Sequence, residues 1–341
     1  MSWRREFKAV AAALGVLAMI SVAGASLDAT GAGKTVQIVD AAGTGITYEV
    51  GAAAQHGTLA YWTTERMWAA ATAAAATPQA SVAPKGTPSA AKFSGSPTSG
   101  ALFYTTGGKA HFCSASVVNS TTGDLVLTAA HCVYGTALAA NVVYVPQYHD
   151  GKRPYGTWPV HAITVASGWE RSHDPDLDFA FLTVGPVNGS SIQARTGGLT
   201  MGFGLSADER IEVIGHNDTD DEPIRCATKS FLFRAGQMEF YCHGFWTGTS
   251  GGPWILGYNA KTGKGTVFGV IGGYEGGGDY EWTSYSPYFG SAARSLYQQA
   301  ERRPAAQPAL SPTSTPTSSP SPTSSLSPTS TPSPSGSATS S

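Results

Sequence analysis

Three short segments carry residue types that could do chemistry together. "GTSGGP" (248–253) sets a single serine, Ser250, on a turn crowded with glycines. "LTAAHC" (127–132) ends an apolar run on His131, and "DPDLDFAFLTV" (174–184) places Asp178 at the mouth of another. A serine hydroxyl is a weak nucleophile until an adjacent base removes its proton. An imidazole, with a reference pKa near 6.5, can take that proton and later hand it on. A carboxylate on the other ring nitrogen fixes the tautomer and stabilises the imidazolium.

Such groups need a frame. From Gly100 to about Ser286, short apolar and β-branched runs alternate with Gly, Asn, Asp and Pro clusters. They include "ALFYTT", "SASVVN", "DLVLTAA", "NVVYVP", "HAITVA", "DFAFLTV", "RIEVIG", "MEFYC", "GPWIL" and "GTVFGVIGG". Ten or more short strands with turn signals between them predict an all-β sandwich or barrel. "SAARSLYQQAERR" (291–303) is the best helix candidate and closes the ordered region. A chain of 341 residues has ample length for a sizeable core. Its net charge of −2 gives no footing for nucleic acid or a basic membrane surface.

The flanks read differently. Arg4 and Arg5 precede an apolar run from Ala9 to Ile20, and Ala23-Gly24-Ala25 offers a cleavage site, so residues 1–25 form a signal peptide. The run is short for a membrane span, which needs roughly 20 apolar residues. "RREFK" (4–8) also resembles a twin-arginine signal, without the expected leucine. Either route leads to an oxidising space. Four cysteines allow three pairings. Their spacing suggests Cys113–Cys132 and Cys226–Cys242, each closing a loop of roughly 15–20 residues for about 3 kcal/mol. Free buried thiols are the alternative. No C-x-x-C pair supports a zinc site.

Residues 26–97 are Ala-, Thr- and Pro-rich and read as a propeptide or N-terminal extension; a flexible spacer is the other reading. Within them, Trp62, Met67 and Trp68 could form one apolar face of a short helix. "GAGKT" (31–35) lacks both the leading glycine and the preceding strand of a phosphate loop. From Pro304 to Ser341 a Ser/Thr/Pro repeat cannot bury a core and is expected to be disordered. It fits an O-glycosylated stalk or a spacer with cell-wall or glycan contacts, and nothing apolar follows to anchor it in a membrane.

Taken together, the three motifs in the order His–Asp–Ser resemble the chymotrypsin/trypsin-like serine peptidases over about residues 98–300. "GALFYTT", "HFCSASVVNS", "LVLTAAHC" and the cysteine eight residues before Ser250 look closest to secreted bacterial members. The resemblance implies two antiparallel six-stranded β-barrels, with the triad between them and a C-terminal helix. It implies His131, Asp178 and Ser250 as the catalytic residues. The backbone N–H groups of Gly248 and Ser250 would form the oxyanion hole, where losing one donor costs about 10²–10³ in turnover. It also implies a secreted, extracellular, monomeric endopeptidase that acts on protein or peptide substrates through an acyl-enzyme, with no metal or cofactor. Asp174, Asp176 and Asp178 share one face of an extended segment, but only Asp178 is followed by the family's strand entry. The same trio lacks the glycine and terminal glutamate of a calcium loop.

Other readings fit less well. "GTSGG" matches a nucleophile elbow, but that fold needs a histidine after the serine, and none follows Ser250. "HGT" (56–58) with Asp40 upstream echoes the subtilisin order, but Gly-Gly replaces the expected Met-Ala after the serine. A catalytically silent, protease-like protein that binds peptides or surfaces is the rival from another class. A missing triad residue would have favoured it, and all three are present.

The resemblance also locates a substrate pocket. Gly244, six residues before the serine, would floor it, and Gly272, Gly273 and Tyr274 would lie on its wall. A neutral, glycine-lined pocket would admit aromatic or large aliphatic P1 side chains. Asp279 or Glu281 folding into it would reverse that preference. Thr249 stands where trypsin-like enzymes carry an aspartate that pairs with the new N-terminal ammonium. A threonine cannot form that ion pair, but its hydroxyl can hydrogen-bond nearby backbone and hold the turn.

Overall fold

The computed structural model describes residues 36–40, 43–72, 81–218 and 221–303. Residues 1–25, read as a signal peptide, "GAGKT" and the Ser/Thr/Pro tail lie outside the described residues. The described chain opens with a hairpin, β1 (Val36–Val39) and β2 (Gly45–Glu49). Two helices follow, α1 (Ala52–Tyr61) and α2 (Thr64–Ala71), and then a two-residue strand, β3 (Ala91–Lys92).

Six strands then form the first barrel: β4 (Ser99–Thr106), β5 (Lys109–Val117), β6 (Leu125–Thr128), β7 (Ala140–Pro146), β8 (Trp158–Ala166) and β9 (Ala180–Val184). Every neighbouring pair in the ring β7-β4-β5-β6-β9-β8 is antiparallel, and β7 pairs β8 to close it. Short helices interrupt the run: α3 (Ala130–Val133) after β6, and α4 (Ser167–Ser172) after β8. The apolar runs are continuous because both faces of these strands are covered. In β6, Val126 points into the barrel core beside Leu182 and Ile163, while Leu125 and Leu127 face the second half of the molecule. The two-residue period of a strand divides β9 likewise, with Ala180, Leu182 and Val184 inward and Phe181 outward.

After α5 (Ile192–Thr196) and β10 (Thr200–Met201) comes the second sheet. Its strands are β11 (Arg210–His216), β12 (Pro223–Arg234), β13 (Gln237–Tyr241), β14 (Pro253–Asn259), β15 (Lys264–Val270) and β16 (Thr283–Pro287). The order is β15-β14-β11-β12-β13-β16, antiparallel throughout, around Val213, Met238, Phe240, Trp254 and Phe268. At the seam, the Gly272 N–H donates to Tyr285 O (3.0 Å) and the Val270 N–H to Ser286 Oγ (3.0 Å). Helix α6 (Ser291–Glu301) falls where the sequence predicts one and buries Ala293, Leu296 and Ala300 between the two halves. The fold is all-β with two packed halves, in agreement with the expected architecture.

The described residues of the stretch read as a propeptide or extension are folded onto both halves. Strand β2 extends the sheet along β8, and the N–H of Ala90 donates to His243 O while β3 pairs with β12. Trp62 and Met67 are buried with Phe103, Phe112 and Tyr148 on the outside of the first barrel. Trp68, expected on the same face, is 56% exposed. It directly follows Met67 in α2, and consecutive helical residues point about 100° apart, too far to share one narrow contact. The two disulfides are Cys113–Cys132 and Cys226–Cys242, as the spacing suggests. Among the described residues, no helix is long and apolar enough to cross a membrane.

Candidate active site

His131 and Asp178 are held together by the elements that carry them. His131 sits in α3 immediately after β6, and its neighbour Cys132 is bonded to Cys113 on β5, so the short helix is tied to the barrel wall. Asp178 follows a single 3₁₀ turn, Pro175–Leu177, at the entry to β9. That turn corrects the expectation of an extended acidic face. Asp174 caps it by accepting the Asp176 N–H, and Asp176 accepts from Gln237 Nε2, so only Asp178 turns inward, with no exposed surface.

The Asp178 carboxylate is fully engaged. Oδ2 lies 2.7 Å from His131 Nδ1 and accepts the Gly273 N–H at 2.8 Å, while Oδ1 accepts the His131 N–H at 2.9 Å. A carboxylate can only accept, so Nδ1 carries the proton and Nε2 is left as the basic nitrogen. Burial alone would raise the Asp178 pKa, but the His131 charge and these hydrogen bonds hold it below the ordinary carboxylate value. Burial opposes protonation of His131, and the adjacent Asp178 charge and hydrogen bond outweigh it, so its pKa is raised. The imidazole remains 27% exposed, so one side of it can still meet a reactant. Cys113, His131 and Cys132 cluster as closely as metal ligands would, but both sulfurs are joined in the disulfide.

Ser250 lies on the turn between β13 and β14. Gly248 has φ +97°, and a Cβ there would come within 2.7 Å of Phe112 Cε1 and of the Asp218 N–H nitrogen. Gly251 has φ +79°, and its Cβ would stand 2.2 Å from Ser114 O. Only glycine fits at either position. Thr249 is 3% exposed, and its hydroxyl donates to Trp246 O at 2.7 Å, the backbone bond that the threonine makes possible.

Ser250 opens onto a cavity of about 320 Å³ lined by Phe245, Trp246, Thr247, Thr249, Ile271, Gly276–Glu281 and Ser284. Its size suits one large side chain. The four residues expected around the pocket fall beside this lining. Gly272 and Gly273 pack against Asp178, where a Cβ on Gly272 would stand 2.9 Å from Oδ2. Tyr274 packs against Phe233 in a tilted contact and edge-on against Tyr285 instead. Gly244 lies just behind the lining, where its N–H donates to Glu281 Oε2 (2.7 Å), while Glu281 Oε1 meets His243 Nδ1 at 2.6 Å. Of the two readings of the pocket, neutral or acidified by Asp279 or Glu281, the lining agrees with the second: both residues line it, and no lysine or arginine does. The cause is the Gly276-Gly277-Gly278 run, whose positive φ angles turn the chain back towards Ser250. Asn217 escaped sequence reasoning. It is buried, accepts the Trp246 N–H and donates to Gly244 O, fixing the lining strand, yet nothing near it in sequence marks it.

The family described as trypsin matches residues 85–288. Among solved structures, protease Anisep from Arthrobacter nicotinovorans is 25% identical, over 63% of this chain and 100% of its own, with a TM-score of 0.57. A thermostable serine protease, AL20, from an extremophilic microorganism is 26% identical, over 60% of this chain and 97% of its own, with a TM-score of 0.54. A Glu endopeptidase at 16% identity, with a TM-score of 0.50 over 64% of this chain and 99% of its own, shares the fold alone. No curated protein matches.

Proposed function

This chain belongs to the trypsin family and is a serine endopeptidase, and from that premise we propose that it works through His131, Asp178 and Ser250. The observation that carries the assignment is the 2.7 Å contact between His131 Nδ1 and the buried Asp178 carboxylate. It leaves Nε2 free to take the Ser250 proton as the hydroxyl attacks the scissile carbonyl. The alkoxide oxygen that forms on that carbonyl is received by the N–H groups of Gly248 and Ser250. Collapse expels the amine, protonated by His131, and leaves an acyl-enzyme on Ser250. Water, deprotonated by the same imidazole, then releases the acid.

The lining of the cavity supports a cationic P1 residue. Asp279 and Glu281 line it with no lysine or arginine, and although the Glu281 carboxylate is already bonded to His243 and the Gly244 N–H, this acidic balance favours a lysine or arginine side chain over an aromatic one. Export fits the two disulfides, which persist in oxidising compartments. The test is labelling with a serine-directed fluorophosphonate, together with a panel of peptides differing only at P1. Label on the wild type that disappears in Ser250→Ala supports the nucleophile; label that persists in that variant rejects it. Peptides with Lys or Arg at P1 should be cleaved at least tenfold faster than those with Phe or Leu. The reverse order would reject the acidic-pocket reading and leave the triad standing.

A further inference from the structure

Ser114 touches both ends of the turn that carries Ser250, although it belongs to the other half of the molecule. It lies on β5 next to Cys113 and has no exposed surface. Its N–H donates to Ser250 O at 2.7 Å, and its hydroxyl donates to Gly248 O at 3.0 Å. The same hydroxyl accepts the His216 N–H at 2.9 Å. Its carbonyl accepts from Thr128 Oγ1 at 2.9 Å, three residues before His131.

We propose that the Ser114 side chain is a positioning residue that sets the Gly248–Ser250 oxyanion turn against the histidine-bearing barrel. The proposal rests on the reading of Gly248 and Ser250 as the oxyanion hole. A hole works only if its donors are aimed before charge develops. The Gly248–Thr249 peptide lies between the two donor N–H groups and the Ser250–Gly251 peptide follows them, and rotation of either would re-aim a donor. Ser114 holds the carbonyl of each residue, one through its backbone and one through its hydroxyl. Its backbone bond is available to any residue at that position, whereas the hydroxyl bond is specific to serine or threonine. The hydroxyl therefore fixes the peptide between Gly248 and Thr249.

The spacing to the base is fixed through the same residue. Ser114 adjoins Cys113, whose disulfide partner Cys132 adjoins His131, and Thr128 bonds the Ser114 carbonyl from the strand leading to His131. Gly251 lacks a Cβ where the turn meets this carbonyl, so the turn can approach β5 closely enough for both bonds. Without the hydroxyl, Gly248 O loses this donor and the His216 N–H loses its acceptor, both in a buried place, and the turn gains freedom to rotate.

The experiment compares Ser114→Ala and Ser114→Thr with wild type. The kcat is counted per active site by fluorophosphonate titration, so unfolded protein does not enter. Ser114→Ala should lose about 10- to 100-fold in kcat with KM within twofold, the size expected when reacting groups are misplaced. Affinity for a peptidyl trifluoromethyl ketone, whose adduct carries the oxyanion, should fall in parallel, while a non-covalent peptide inhibitor binds unchanged. Ser114→Thr keeps the hydroxyl and should retain at least about one-fifth of kcat. If Ser114→Ala gives no folded enzyme, Ser114→Thr decides: retention supports the proposal, and a folded but tenfold slower enzyme overturns it. Unchanged kcat in Ser114→Ala, or equal losses with both inhibitors, also overturns it. The two readings fail separately. Loss of fluorophosphonate label in wild type would reject Ser250 as nucleophile, whereas normal labelling with an unaffected Ser114→Ala rejects only the role of Ser114.

Discussion

The first barrel closes by strand pairing between β7 and β8 and carries an added layer, whereas among the described residues β15 and β16 of the second half are joined at a seam by the Gly272 and Val270 N–H groups. The added layer is the segment 36–72. Strand β2 lies along β8, α1 packs on β7 and β8, and α2 on β5. Trp62 donates its indole N–H to Asn141 O at 2.5 Å and packs on Phe103. The C-terminal helix holds the layer from the other side, with Gln299 bonded to Thr47 and Arg303 paired with Glu49. The closed, reinforced half carries His131 and Asp178, whose mutual geometry must not drift. The half with the seam carries Ser250 and a cavity walled by a triple-glycine loop. The His131–Asp178 pair thus sits in the half that carries the added layer, and the cavity at Ser250 in the half with the seam and the glycine loop.

The sharpest way to break this division is at the contact between the halves. Ser250→Ala and His131→Ala should each lower kcat/KM by about 10⁶, and Asp178→Asn by about 10⁴, with melting temperatures little changed. A loss below tenfold for His131→Ala would place the base elsewhere; His56→Ala is the control and should be silent.

Next in size is the clamp. Trp62→Ala should destabilise the protein by about 3–5 kcal/mol in urea unfolding, while Trp68→Ala stays within about 0.5 kcal/mol. The kcat of the folded fraction should not change in either. Equal effects at the two tryptophans would mean that α1 and α2 do not brace the barrel.

A third contrast is electrostatic. His216 ends β11 with 1% exposure, and burial pushes its pKa down to about 4. It folds neutral, donating Nε2–H to Tyr148 O at 3.0 Å. A depressed base of this kind contributes stability above its unfolded value near 6.5, and the contribution fades as pH falls towards 4, on the order of 3 kcal/mol in all. Asp218, which burial pushes up to about 6, runs the opposite way over part of that window. Comparison of wild type with His216→Gln isolates the histidine, and the variant should show a flatter acid limb between pH 6.5 and 4. Identical limbs would exclude His216 as the acid-sensitive group. Catalysis has its own sign. The raised pKa of His131 means that kcat/KM should climb with pH through a midpoint above 6.5, and a profile flat from pH 4 upward would exclude it as the base.

Much of this was legible from residue pattern. The β-branched runs became strands because alternation and continuous apolar stretches report burial directly, and the two disulfides followed from spacing. Strand β16 was missed because it is "TSYSP", polar by composition yet wholly buried. Its hydroxyls find partners that no local pattern announces, such as Thr283 on Glu239 and Ser286 with the Val270 N–H. Strand β12 was missed for the opposite reason: its far end projects into solvent, with Leu232 and Phe233 exposed, so its alternation fails. The sequence leaves the pocket open between neutral and acidic because its wall depends on how three consecutive glycines turn, and glycine leaves that choice to tertiary contacts. Gly244 itself is neutral, and the acidic group beside it comes from Glu281, 37 residues later, which accepts the Gly244 N–H and is one of the two residues the sequence names as able to acidify the pocket.

The smallest expected effect concerns the start of the chain. In trypsin-like enzymes an aspartate before the serine needs the ammonium of a freshly cut terminus, and that buried pair shapes the oxyanion turn. Here the position holds Thr249, whose hydroxyl is bonded to Trp246 O, with its Cβ and Cγ2 in line to stand 3.0 Å from any Cβ placed on Gly215. Thr249 itself carries no charge for an ammonium to neutralise, and its hydroxyl is already engaged within the turn. The residues preceding the barrel instead run past the base of the cavity. The His243 N–H donates to Pro88 O and the Ala90 N–H to His243 O, both at 2.8 Å. These are backbone bonds that begin at Pro88 and take no account of where the chain starts upstream of it. Enzymes beginning at Ser26, Ala29 or Gly31, which keep the layer that packs on the first barrel, and one acetylated at its terminus, should therefore hydrolyse the same peptide within about twofold of one another, because no charged terminus enters the turn. Activity confined to one start site and abolished by acetylation would show that the turn still depends on an ammonium, with Asp279 or Glu281 as the carboxylate that receives it.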